Sequence, residues 1–205
     1  MKKVLAVLAV AVLTAGLAHA QITFGARGGI NFSNMKMESE GISISPKMKP
    51  GVQLGVVAEY ALSESLFLQP GFLFAQQGMK MDADGETAKV TLNYIQIPVN
   101  FQFKTEVSGG TILLLQAGPY GGIGINGKWK YGKESEDVEF GNGDNADFKT
   151  FDFGLGLGAG IEFGGNMQLG IGYNLGLANL DTSGSSKYSV KNNGLAFTFT
   201  YFFNK

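Results

Sequence analysis

From Leu195 to Phe203 the chain places bulky apolar or aromatic side chains on every odd position and mostly small or polar ones between them. Successive side chains of a strand point to opposite faces, so this alternation predicts a strand with one greasy face and one polar face. The same period of two runs through Met167, Leu169, Ile171, Tyr173, Leu175 and Leu177, interleaved with Gln168, Gly170, Gly172, Asn174 and Gly176. It returns from Phe151 to Phe163. A soluble barrel or sandwich would carry Lys, Glu and Asp on its second face, whereas these segments carry glycines and amides. The pattern predicts an all-β chain folded as a closed, eight-stranded antiparallel transmembrane β-barrel, its greasy face against lipid and its polar face filling the lumen. A soluble exported lipid-binding barrel is the inverse arrangement, with Leu169, Ile171 and Phe199 inside.

Alternation and turn residues together place strands at 21–33, 49–61, 65–78, 89–105, 111–126, 149–163, 167–178 and 193–203. Each is near the ~10 residues that a tilted membrane strand requires. The connections alternate in length: long from Asn34 to Met48, Met79 to Ala88, Gly127 to Phe148 and Asn179 to Asn192, and short at Leu62 to Glu64, Glu106 to Gly110 and Gly164 to Asn166. Short periplasmic turns alternating with longer extracellular loops put both termini on the periplasmic side. Pro70, Pro98 and Pro119 fall inside predicted strands and lack a ladder donor, so each is expected at a bulge or a kinked rim position. Gly154, Gly156, Gly158 and Gly160 share one face. In a narrow lumen they leave room for large partners such as Tyr94 and Tyr120. They are no phosphate loop, since neither a helix nor a Lys-Ser or Lys-Thr pair follows.

Residues 1–20 read as a signal peptide: Lys2 and Lys3, an apolar run from Val4 to Leu17, and the small-x-small site Ala18-His19-Ala20. The run of about 14 apolar residues is short for a helix that spans a bilayer, which needs roughly 20. The barrel domain is then 21–205, a length that suits one domain. Of 16 Lys and Arg, two lie in the leader, against 17 Asp and Glu, so the barrel is mildly acidic and offers nucleic acid no electrostatic footprint. There is no Cys, hence no disulfide framework, and stability must come from closure of the sheet. With 31 Gly in the chain, close approach of neighbouring strands is expected.

The charges expected to face the lumen are Arg27, Glu59, Asp152 and Glu162, joined by amides that include Gln53, Gln69, Gln96, Asn100, Gln102, Gln116 and Asn174. Charges away from bulk water need partners, and Glu59, on the adjoining strand, is the expected partner of Arg27, with Glu162 as the alternative. Such a set reads as a hydrogen-bonded polar core, because eight strands enclose little more than their own side chains. Catalysis finds no support: the single His is His19 in the leader, and without Cys or a later His no triad, thiol nucleophile or zinc site can be built. Asp152 and Glu162 lie ten residues apart on one strand, about 33 Å, too far for paired-carboxylate chemistry. In the third long loop Trp129, Tyr131 and Phe140 stand among charged residues as candidate contacts for a ligand or partner. Asp144, Asn145 and Asp147 lack the spacing of a calcium loop, so no metal is expected.

The phrases FGARGGINFSNM, KPGVQLGVVAEYALSESLFLQPGFLFAQQG, LNYIQIPVNFQF, LLQAGPYGGIGI, FDFGLGLGAGIEF and LGIGYNLGLANL, spread over most of the chain from Ile22 to Phe203, resemble the PorT-like outer-membrane beta-barrel family of Bacteroidota. The resemblance implies a barrel fold and an outer-membrane location, and leaves activity open because the family is a scaffold. One departure is Asn204-Lys205 after Phe203, where outer-membrane barrels often end on the aromatic residue. The expected function is that of a small integral outer-membrane barrel with a structural or surface-interaction role and no catalytic activity. The alternative is a narrow transport or secretion-accessory barrel. Expected partners are outer-membrane lipid, the barrel-assembly machinery during biogenesis and an unidentified extracellular or secretion partner. No cofactor and no nucleic acid are expected.

Overall fold

The computed structural model describes residues 22–39, 42–44, 46–83, 86–143, 145–185 and 187–203, so the expected signal peptide at 1–20 lies outside the described residues. The strands are β1 (Ile22–Ser39), β2 (Ile42–Ile44), β3 (Lys47–Ala61), β4 (Leu66–Ala83), β5 (Glu86–Ser108), β6 (Thr111–Tyr131), β7 (Glu134–Val138), β8 (Phe151–Phe163), β9 (Met167–Gly176) and β10 (Tyr188–Phe202). A ring of 8 antiparallel strands runs β1-β3-β4-β5-β6-β8-β9-β10 and closes where β10 pairs with β1, from Gly25↔Phe202 to Ser39↔Tyr188. β2 lies against β1 and β7 against β6 beyond the ring. Closure leaves the eight-stranded ring itself without an open edge, which hydrocarbon demands.

The two faces are those that alternation predicts. Leu169, Ile171, Tyr173 and Leu175 on β9, and Phe197, Phe199 and Tyr201 on β10, point outward and are exposed, whereas Gln168, Asp152 and Thr200 are buried inside. The inverse, soluble arrangement is therefore not the one this chain adopts. A continuous outer surface of Phe, Leu and Ile this large finds a stable contact in lipid.

Toward the long-loop rim the alternation inverts. Along β5 the outward positions change from Phe101, Val99, Ile97 and Ile95 to Asn93, Thr91 and Lys89, and the inward ones from Gln102, Asn100 and Gln96 to Tyr94, Leu92 and Val90. On β1 the outward series Ile30 and Phe32 gives way to Asn34 and Lys36, while the inward series Arg27 and Asn31 gives way to Met35. The changes fall level with one another. Gln76 of β4 stands opposite Asn93 of β5, which stands opposite Asn126 of β6, and their side chains are linked at 3.1 and 2.6 Å. Asn34 and Asn193 oppose each other on β1 and β10. Below this amide belt the sheet is built for lipid outside and polar groups inside; above it, for water outside and an apolar core inside.

That inversion explains why β1, β4, β5, β6 and β10 are longer at the long-loop rim than the expected segments, whereas β8 and β9 are two residues shorter. β1 runs to Ser39, β4 and β5 pair up to Ala83↔Glu86, and β6 reaches Tyr131, so parts of the expected long loops are sheet. A search for greasy-outside alternation stops at the belt, while the hydrogen-bonded ladder continues through it. All three short connections are turns: Gly109 and Gly110 take φ of 58° and 77° in a two-residue turn, Gly164 to Asn166 join β8 to β9 with φ of 59° and 77° at the two glycines, and Ser63 Oγ accepts a hydrogen bond from Leu66 N (3.1 Å) at the β3–β4 turn.

Pro70, Pro98 and Pro119 do not sit at bulges, contrary to expectation. Register continues unchanged past each, with Gln69↔Asn100 and Leu73↔Gln96 around Pro70, Ile97↔Gly121 and Phe101↔Ala117 around Pro98, and Gly118↔Gly156 and Tyr120↔Gly154 around Pro119. The irregularities fall between Met48 and Gln53, between Asn93 and Tyr94 and between Glu106 and Ser108. A bulge needs an extra residue, whereas a proline removes one donor toward one neighbour and leaves the count intact. The Pro98 ring also fills the space over Gly71, where an added Cβ would lie 3.2 Å from Pro98 Cγ.

Candidate functional site

The lumen below the amide belt is crossed by one connected set of side chains. Its centre is Lys104, on the inward face of β5, whose Nζ lies 2.7 Å from Glu59 Oε2 (β3) and 2.8 Å from Glu162 Oε2 (β8), all three buried. The ammonium also stands 4.4 Å from the Phe67 ring centroid and 5.9 Å from that of Phe202, cation–π placements. Gln168 of β9 donates to Glu162 (2.9 Å) and Glu59 (3.3 Å), and Gln69 of β4 donates to Glu59 (3.3 Å). Arg27 of β1 joins at the far end, donating through Nη2 to Gln69 Oε1 (2.5 Å) and through Nε to Thr200 Oγ1 of β10 (2.8 Å).

Of the residues expected in the lumen, Arg27, Glu59 and Glu162 are brought into this set, but not by the expected pairing. Arg27 is not hydrogen-bonded to Glu59; Gln69 stands between them. The register gives the reason. Arg27 lies opposite Gly55, and Glu59 opposite Thr23, a step of four residues or about 13 Å along β1. Lys104, which sequence reasoning missed, reaches Glu59 instead. Its signal was parity: Gln96, Asn100, Gln102 and Lys104 occupy the same face of one strand.

Asp152 sits apart, deeper toward the belt, where Asn192 Nδ2 donates to its Oδ2 (3.0 Å) and to the Tyr94 hydroxyl (3.3 Å). Gln116 accepts from Gln102 Nε2 (3.0 Å), tying β6 to β5. Gln96 is buried and lines, with Arg27, Asn100 and Tyr120, a lumen cavity of about 50 Å³, room for very few waters. The glycine face of β8 is what admits the large groups. Tyr120 lies directly opposite Gly154 and Gln116 opposite Gly158, and a Cβ on Gly154 would come within 2.7 Å of the Tyr120 ring.

Above the belt an apolar cap closes the interior. Met35, Met79, Val90, Leu92, Val138 and Leu180 form its buried centre. Trp129 stacks on Phe148 (6.2 Å, 13°), and Phe140 meets Tyr94 edge-on (5.6 Å, 69°). Two of the three aromatic residues expected to face a partner thus turn toward the cap, because the inward face is apolar at this height; Tyr131 is exposed. Trp129 and Tyr131 nonetheless border a surface cleft of about 410 Å³ with Glu134, Glu136 and Asp147. Among the described residues no group of three or more His, Cys, Asp or Glu is placed to hold a metal. Asp147 accepts a hydrogen bond from Glu139 N (2.9 Å), and Asp144 lies outside the described residues.

A closed antiparallel ring with a lipid-facing apolar band and a polar interior defines a small outer-membrane β-barrel of Gram-negative bacteria. The chain belongs to the family described as outer membrane protein beta-barrel domain, whose model matches residues 18–182. Among solved structures it is similar to Neisserial surface protein A, NspA, with a TM-score of 0.51 at 12% identity over 89% of this chain and 99% of that one. It is also similar to Ail, the attachment invasion locus protein of Yersinia pestis (TM-score 0.43, 16% identity, 87% and 98% covered), and to the outer membrane protease OmpT from Escherichia coli (0.42, 11%, 88% and 97%). No curated protein matches the chain.

Proposed function

We propose that this protein is a non-catalytic, PorT-like barrel with a structural or surface-interaction role, its long-loop rim extracellular and both termini periplasmic. The observation that carries the reading is the filled interior: Lys104, Glu59, Glu162, Gln69 and Arg27 span the lumen below the belt, and the Met35–Leu92–Leu180 cap covers it above. An interior occupied in this way serves as a rigid core rather than a path for solute. Recognition then falls to the rim, where the cleft between Trp129, Tyr131, Glu134 and Glu136 offers an aromatic edge beside carboxylates. Lipid of the outer membrane and the barrel-assembly machinery are its general partners, and an extracellular or secretion partner is its specific one. Purified monomer in a planar bilayer should give no steady, porin-sized conductance. Large regular channels would instead establish the transport reading. Cysteine labelling of intact cells at Ser183, on the long-loop rim, tests the orientation separately; a label that enters only after the outer membrane is opened would reverse it.

A further inference from the structure

Above the amide belt, the outward face of four neighbouring strands carries lysines in register. Lys47 of β3 stands opposite Lys80 of β4, Lys80 opposite Lys89 of β5, and Lys89 opposite Lys130 of β6. Like charges directly opposite one another destabilise a sheet. Carboxylates balance only the β3 end of the row. Asp82 pairs with Lys47 at 2.6 Å and accepts from the Thr87 hydroxyl at 2.9 Å; these bonds, the charge of Lys47 and, least, that of Lys80 hold its carboxyl below the usual range. Asp137 faces Lys128 at 3.6 Å, and Lys130 has Ser135 opposite it on β7. Among the described residues no carboxylate lies within ion-pair distance of Lys80, Lys89 or Lys130. Lys49 is held below the ordinary lysine range first by burial and then by Lys80 and Lys89.

We propose that this row binds the phosphate-bearing headgroups of outer-leaflet lipid. Its position selects a lipid over a soluble anion. Lys89 is four residues beyond Asn93, about 13 Å of strand above the belt at which the Ile95, Ile97 and Phe101 band ends, and on the same outer face. Lysine stems are long enough to bend back toward a membrane surface while their charge stays in the polar layer. A headgroup phosphate held there neutralises charges that the sheet itself leaves in excess, while the acyl chains of the same molecule cover the band below. The assignment to the outer leaflet rests on the orientation proposed above; lipid selectivity itself does not.

The test uses the full-length mature protein in vesicles of phosphatidylcholine doped with spin-labelled phosphatidylglycerol or spin-labelled phosphatidylcholine, and reads which lipid is enriched in the motionally restricted shell. The protein should enrich the anionic label at least about fivefold over the neutral one at low salt, the effect expected of a single lysine near an anionic surface. The variant Lys80→Gln, Lys89→Gln, Lys130→Gln should lose that preference, whereas Lys36→Gln with Lys191→Gln, an opposed pair that has Glu38 beside it, should retain it. If the triple variant does not insert, the single exchange Lys89→Gln should still lower the enrichment. Equal enrichment in the protein and its folded lysine variants overturns the proposal. So does binding of soluble sulfated polysaccharide through these lysines with no lipid preference. Because vesicles present both leaflets to the row, a failure here is distinct from a failure of the labelling at Ser183.

Discussion

Lys104 Nζ lies 2.7 Å from Glu59 Oε2 across β4, which separates their strands, so the contact reaches through the lumen and does not run along the sheet. A charge placed this way is held by partners from several strands at once. With Glu162 of β8 on its other side, Lys104 links two distant parts of the ring.

Removing the ammonium should leave two buried carboxylates facing each other. Lys104→Met is therefore expected to destabilise the barrel by about 3 to 5 kcal/mol, the range for breaking a buried pair. Changing Glu59→Gln and Glu162→Gln in the same chain should recover much of that loss. Urea unfolding in lipid vesicles gives the values, and a double-mutant cycle should return a larger coupling for Lys104 with Glu59 than for Arg27 with Glu59. Equal couplings would mean that Gln69 relays charge as well as a direct contact does.

On the outer face, Ile171 is exposed between Ala159 and Phe197 of the neighbouring strands. Ile171→Arg should cost about 2 to 4 kcal/mol if this site lies near the bilayer midplane. Gly154→Val should fail for a different reason, since its new side chain runs into Leu175 O and comes within 2.7 Å of the Tyr120 ring. Overpacking of that kind typically costs about 1 to 3 kcal/mol. Lipid-phase labelling of single-Cys variants separates the two: Ile171→Cys should react from the bilayer and Gly172→Cys should not.

The cap should be separable from the barrel. Leu180 is fully buried, and its backbone joins Lys149 N (2.9 Å) and Val190 O (2.8 Å). Leu180→Ala should remove about 2 to 5 kcal/mol of packing from the cap, the usual span for such a truncation. Limited proteolysis should then cut within 181–187 while the membrane-embedded strands remain protected. Loss of the whole barrel instead would show that cap and ring fold as one unit.

Much of this protein was legible in its alternation alone. Leu169, Ile171 and Phe199 outside, Gln168, Asp152 and Thr200 inside, and the strands that carry them all follow from a period of two, because a pleated backbone has no other way to place successive side chains. The partnering of the glycines Gly154 and Gly158 with Tyr120 and Gln116 was legible as a need for space, and the register supplied the particular partners. Three things depended on closure. Which carboxylate meets which cation was decided by register and by reach across the lumen, so Glu59 found Lys104 and not Arg27. Which way Trp129 and Phe140 turn was decided by the inversion at the Gln76–Asn93–Asn126 belt, where the solvent outside the sheet changes from lipid to water. And the alignment of Lys47, Lys80, Lys89 and Lys130 exists only once four strands lie side by side. One sequence states each strand's two faces; it does not state the offset between strands, and every cross-strand contact is a function of that offset.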